Sequence, residues 1–358
     1  VIELDALRAL AAINLMLFHF THVYQVKYGF TTALGFELPY GKYGVQLFFM
    51  LSGFVNAMTL CRKPEGDEFI ASRLIRILPL FLLVVGINLV LLTMQPLSQH
   101  SSLSFSQTVA NATLMPNLFG FDCYEPVTWT LQVEVLFYGI LVAFFLSGGL
   151  NKPCRPLILY LLLCLVGGLL IEHMPPDATH TFSGGLVLLL GDILLFKYMP
   201  LFAIGIFLHH LKSSQMHRWS SQFGILIAAT VFHLVDDHGH NPAATVMLIG
   251  LLTLAAYGRL PLFRSGLFVF LSGISYSLYL LHNNLGCVLM YHLNQKGVPP
   301  QICFGLAFLF SIAIATAVTY WVERPVTARL RNRWKQVRPQ LKAWFEHLGY
   351  RSPAGETT

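Results

Sequence analysis

Arg8 and His19 stand inside the first strongly apolar run of the sequence, between Leu4 and Phe20. An ionisable group within a spanning helix is costly and marks a functional site by default. The interval of eleven residues is about three helical turns plus about 20°, so both side chains project from one face. At about 1.5 Å per residue they lie about 16 Å apart, half the thickness of the hydrocarbon layer. A guanidinium therefore sits near one membrane surface and an imidazole deep in the bilayer, on the same stripe. Such a pair suits a long anionic ligand whose reactive end reaches into the membrane.

Further polar residues fall within other apolar runs. Trp129-Thr130-Leu131-Gln132-Val133-Glu134 places Glu134 about 9 Å below the end of its helix, a depth like that of His19. A buried carboxylate without a partner is costly or protonated. Pairing with His19 would resolve that and fix the imidazole tautomer, as a general base requires; a polar clamp between helices is the other reading. Arg73 and Arg76 share a helix face at a membrane surface. Two planar guanidinium forks there suit phosphate oxygens, though alone they also fit as topological anchors. The stretch Ser272–Asn284 carries Tyr279, His282 and two amides; His282 by itself reads as a structural histidine. Ser52 and Gly53 fall near mid-membrane, where small residues let helices approach. His233, Asp236, Asp237, His238 and His240 have the residue types of a metal site. Their short hydrophilic setting reads instead as a solvated loop, and no metal is expected. His209 and His210 read as a basic helix end, and Asn111-Ala112-Thr113 is a glycosylation sequon.

These residues need an apolar scaffold, and the composition supplies one. Hydrophobic residues make up 55% of the chain, charged residues 11%, and the mean hydropathy is +0.62; a soluble domain carries about 25% charged residues. The expected fold is all-α, a polytopic integral membrane protein of about ten transmembrane helices. The spans fall roughly at 6–26, 43–60, 74–95, 128–147, 156–173, 198–211, 222–235, 243–258, 267–293 and 300–322. The sixth and seventh are short, and 184–196 is a re-entrant or interfacial candidate. With these spans, eighteen of the 23 Lys and Arg residues fall on one side. Only Lys27, Lys42, Lys197 and Lys296 fall on the other, and Arg8 lies at the start of the first span. The positive-inside rule then puts both termini in the cytoplasm. The net charge of +6 reflects this asymmetry and calls for no nucleic acid. Residues 1–323 form the transmembrane domain, and 324–358 a basic cytoplasmic tail suited to anionic lipid headgroups.

The N-terminal run reads as a resident helix, not as a cleavable signal. No period of 20–50 residues repeats. The six cysteines are dispersed and give no disulfide framework or zinc spacing.

Read in order, the polar motifs resemble the membrane acyltransferase-3 superfamily. They are Leu4-Asp5-Ala6-Leu7-Arg8 with His19, and Phe48-Phe49-Met50-Leu51-Ser52-Gly53-Phe54. Arg73-x-x-Arg76-Ile77-x-Pro79 and Trp129 to Tyr138 follow, then Gly273 to His282, and Val322-Glu323-Arg324-Pro325. Together they cover nearly the whole chain. Ala6 stands where the family commonly has another small residue, often Gly, and the appended esterase-like domain of some members is absent.

The resemblance implies an O-acyltransferase of a bacterial cytoplasmic membrane. It would move an acyl group, usually acetyl from acetyl-CoA, onto an extracytoplasmic glycan or lipid-linked saccharide. Arg73 and Arg76 would hold the CoA phosphates and Arg8 would guide the donor at the mouth. His19, oriented by Glu134, would act as general base or transient acyl carrier. Ser52 lies on the pocket, Tyr279 and His282 would line the acceptor entrance, and Trp129 would stack on a sugar. From the residues alone, a secondary transporter with Arg8, His19 and Glu134 as a proton relay also fits, although no repeated half is found. An inactive scaffold or sensor is a third reading.

Overall fold

A chain in hydrocarbon must satisfy its backbone polar groups internally, so long apolar runs become helices. The computed structural model describes residues 2–62, 65–99, 103–150, 154–179, 181–213, 218–236 and 239–347. Every regular element among them is helical. In chain order the main helices are α1 (Ile2–Lys27), α2 (Gly44–Arg62), α3 (Gly66–Leu91), α4 (Trp129–Leu146), α5 (Cys154–Glu172) and α6 (Phe182–Ile193). They continue as α7 (Met199–Ser213), α8 (Arg218–Val235), α9 (Pro242–Ala256), α10 (Gly266–Gln295), α11 (Pro300–Val318) and α12 (Arg324–His347). Six of the described helical runs are long and apolar enough to cross a membrane, those built on α1, α2, α3, α4, α5 and α11. The protein is an integral membrane protein.

The other four expected spans are also helices, but length and composition alone do not make them crossings. α7 and α9 have 15 residues each, about 22 Å against about 30 Å of hydrocarbon. α8 opens with a polar turn. α10 has 30 residues but carries serines, His282, Asn283 and Asn284. The apolar stretch near 184–196 folds as the short α6.

Two close helix approaches position the site. α2 crosses α7 where two glycines face each other's backbone. A Cβ on Gly53 would lie 2.1 Å from the Phe202 carbonyl oxygen, and one on Gly205 2.0 Å from that of Met50. Gly53 is thus a packing residue, as its size suggests. α10 packs on α1, with the Phe20 ring seated where a Gly286 side chain would be (2.3 Å to its Cζ). His282, one turn from Gly286, is thereby pressed against α1. Within α1 the winding changes to a π-helix at His19–Val23, a feature frequent at functional sites.

α12 folds back onto the start of α3. Arg338 reaches Glu65 (2.8 Å) and Asp67 (2.8 Å), and Trp334 donates to Glu68 (2.7 Å). The first part of the tail is therefore docked on protein. Asn111 is buried, with its amide bonded to the backbone of Gln107, Asp122 and Tyr124. The sequon asparagine clamps its loop and is not presented for glycosylation. All six cysteines are free.

Candidate active site

Arg8, Arg73 and Arg76 converge from α1 and α3 on one cavity of about 90 Å³. Arg8 bonds Asp5 one turn away (2.8 Å). Arg73 donates to Thr59 (3.1 Å) and lies over the Phe69 ring, while Arg76 lies over that of Tyr276. The Nε of Arg73 is buried without a hydrogen-bond partner among the described residues. A buried guanidinium donor left open beside two further arginines suits an anion with several oxygens.

Glu134 lines the same cavity. Its Oε1 accepts from Ser52 Oγ (3.0 Å) and Tyr138 OH (2.6 Å), and Asn56 donates to Ser52 (2.8 Å). The expected His19–Glu134 pair is therefore not formed. Equal depth on two helices does not imply adjacency, because the faces of α1 and α4 at that level look into different spaces. Ser52, offered as an acceptor-pocket residue, is likewise a partner of Glu134 at the arginine cavity. Tyr279 also lines this cavity, but its hydroxyl is held by the Val127 carbonyl (2.8 Å) and by Thr130.

His19 has a different partner. Its Nδ1 lies 2.7 Å from His282 Nε2, with the two rings stacked at 5.0 Å. His282 Nδ1 lies 3.0 Å from the Leu278 carbonyl oxygen. A carbonyl can only accept, so His282 carries its proton on Nδ1 and its Nε2 is a lone pair. His19 must then donate from Nδ1, which leaves His19 Nε2 unprotonated. This chain fixes the tautomer that a base or nucleophile needs. His282 is fully buried, so it does not line an entrance; it orients His19 from behind.

His19 lines a second cavity of about 430 Å³ on the far side of Phe49. Trp129, Tyr198, Lys42, Lys197, Asp236 and His240 share it. Phe49 lines both cavities. Along α2 the neighbours one turn either side divide between them: Gln46 faces the larger cavity and Ser52 the smaller.

The loop expected to be solvated contributes here. His240 donates from its ring to Asp236 (2.8 Å), and both side chains are largely buried. Asp237 and His238 of that cluster lie outside the described residues. His209 and His210 are buried in the last turns of α7, so they are no exposed basic end. Lys42 and Lys197, placed by the charge pattern only as residues opposite the basic side, and Gln46, which no pattern marks, thus join His19 at one cavity.

The family model described as an acyltransferase domain matches residues 1–324. The exopolysaccharide production protein ExoZ of Rhizobium meliloti (strain 1021) is 26% identical over 316 residues, covering 84% of this chain and 93% of the relative. No solved structure matches the chain. With the matched stretch running through every residue of both cavities, the chain belongs to the acyltransferase-3 family.

Proposed function

We propose that the protein is a membrane-bound O-acetyltransferase of the bacterial cytoplasmic membrane. It takes acetyl from cytoplasmic acetyl-CoA and places it on a hydroxyl of an extracytoplasmic carbohydrate or glycolipid. Family membership supports acyl transfer, and the name of the ExoZ relative points to an exopolysaccharide-type glycan. The observation that carries the reading is the meeting of two cavities at Phe49, one with three arginines and one with the unprotonated imidazole.

In this reading the basic end faces the cytoplasm, as its charge demands. Arg73, Arg76 and Arg8 hold the CoA phosphates, and Glu134 keeps Ser52 and Tyr138 in place beside them. The pantetheine arm carries the thioester past Phe49 to His19. His19 Nε2 takes the proton of the acceptor hydroxyl as its oxygen attacks the thioester carbonyl. The C–S bond breaks, and the proton passes from His19 to the CoA sulfur. While His19 is an imidazolium, its Nδ1–H bond to His282 is charge-assisted and strengthens. The same lone pair serves an acyl-imidazole route, in which Nε2 attacks the thioester first.

The test uses proteoliposomes with labelled acetyl-CoA outside and an oligosaccharide trapped inside. Label should appear on the trapped sugar with the wild type and not with His19→Ala. Solute uptake without any labelled sugar would overturn the proposal in favour of a transporter.

A further inference from the structure

We propose that α12 completes the donor site. Arg331 and Thr327 on that helix take the phosphate farthest from the thioester, the 3′-phosphate of CoA, on the side of Arg73. That the ligand is CoA rests on the acyl-transfer reading. Arg331 itself lies beyond residues 1–324, the stretch matched by the family model, so family membership does not supply it.

α12 is pinned to the bundle at two places. Glu323, directly before it, accepts from Ser277 on α10 (2.7 Å). Farther along, Arg338 donates to Asp67 and Glu65 (2.8 Å each), and Trp334 donates to Glu68 (2.7 Å). As residue numbers rise on α12 they fall on α3, so the two helices run antiparallel. Arg324, Thr327, Arg331, Trp334 and Arg338 recur at intervals of three and four, the spacing of one helix face. Arg331 precedes Arg338 by seven residues, about 10 Å, and Arg73 follows Asp67 by six, about 9 Å. The two guanidinium groups therefore stand at one level, near enough for the Arg331 charge to act on Arg73.

Like charges held at one level repel, and an anion between them turns the repulsion into two attractions. Two buried donors stand open for it. One is Arg73 Nε, and the other is the hydroxyl of Thr327; neither has a hydrogen-bond partner among the described residues. Thr327 is only 9% exposed and lies one turn from Arg331 on the same face. An unpaired buried hydroxyl is costly, and a phosphate oxygen would pair it. Arg331 is exposed at the surface, where a large anion can reach it. The order of groups also agrees. CoA carries its thioester, pantetheine arm, diphosphate and ribose 3′-phosphate in succession. Arg73 is the nearer of the two α3 arginines to the start of that helix, so Arg331 beside it meets the part of the donor that enters last.

The experiment compares equilibrium binding of CoA and 3′-dephospho-CoA to the purified protein in phosphatidylcholine nanodiscs at low salt. The wild type should bind CoA about tenfold tighter, the worth of one charge-assisted contact. Arg331→Gln should bring the two ligands within about twofold of each other by weakening CoA alone. Its unchanged affinity for 3′-dephospho-CoA shows that the variant is folded. Arg331→Lys should keep part of the preference. Thr327→Val should narrow it without lowering the melting temperature, since no hydrogen bond among the described residues is lost. Equal binding of both ligands by the wild type would overturn the proposal and leave the donor reading standing, whereas binding of neither would overturn both. A full preference surviving in Arg331→Gln would also overturn it. So would a preference abolished by adding phosphatidylglycerol to the nanodiscs, which would give the site to a lipid headgroup.

Discussion

Replacing His282 with alanine removes the group on which the His19 tautomer depends. In the resting protein the His19 Nδ1–H bond to His282 is a neutral one of 2.7 Å, with a net contribution of about 0.5–1.5 kcal/mol. When His19 has taken the acceptor proton, the same bond has an ionised donor and contributes about 1.5–3 kcal/mol. The difference, about 1–2 kcal/mol, acts only in the transition state and corresponds to a fall in kcat of roughly 5- to 30-fold. Loss of the base itself, in His19→Ala, removes about 10²–10⁴-fold. The two variants should therefore rank with His19→Ala the more severe. Donor KM should be unchanged in both, because the arginines line a separate cavity. His282→Gln, whose amide oxygen can accept from Nδ1, should recover part of the loss. Acetyl-CoA turnover by purified protein, with melting temperature as a check on folding, measures all three. A folded His282→Ala enzyme with wild-type kcat would refute the tautomer argument. A greater loss in His282→Ala than in His19→Ala would make His282 the base.

Arg73→Gln/Arg76→Gln should raise the Kd for an acetyl-CoA analogue by roughly 10²- to 10⁴-fold, since two charge-assisted phosphate contacts of about 1.5–3 kcal/mol each are lost; calorimetry with an unchanged Kd would make both arginines mere anchors. Added salt should weaken donor binding more in the wild type than in that variant. Gly205→Val should lower the melting temperature sharply, because any Cβ there meets the Met50 carbonyl at 2.0 Å and the α2–α7 crossing must open. A cysteine at Phe105, the exposed first residue of a short helix (Phe105–Ala112) between α3 and α4, should be labelled by an impermeant reagent in intact cells, and one at Arg333 should not; labelling at Arg333 would invert the topology and the donor route with it.

Much of the scaffold was legible because hydrophobicity is a local property of the chain. Each expected span is a helix, and Arg8, Arg73 and Arg76 do meet in one cavity. Partner choice was less legible. Depth along a helix follows from counting residues, but which face meets which neighbour depends on crossings such as Gly53 with Gly205 and Gly286 with Phe20. Those contacts bring His282 to His19 and leave Glu134 with Ser52 and Tyr138. The loop after α8 departs from expectation for a similar reason. Its polar composition suggests solvent, yet Asp236 and His240 turn inward beside Phe232 and Tyr43.

On α2, Phe49 lines both cavities, between Gln46 at the larger and Ser52 at the smaller. If the proposed transfer does run across the membrane, two cavities that meet at one residue are most of a conducting pathway. A continuous file of water through them would let protons run down their gradient and drain the cell's stored energy. An aromatic ring lining both cavities would oppose such a file at their junction. In the proposed route, chemical traffic would pass the membrane without an electrical leak, with Phe49 as the insulating element.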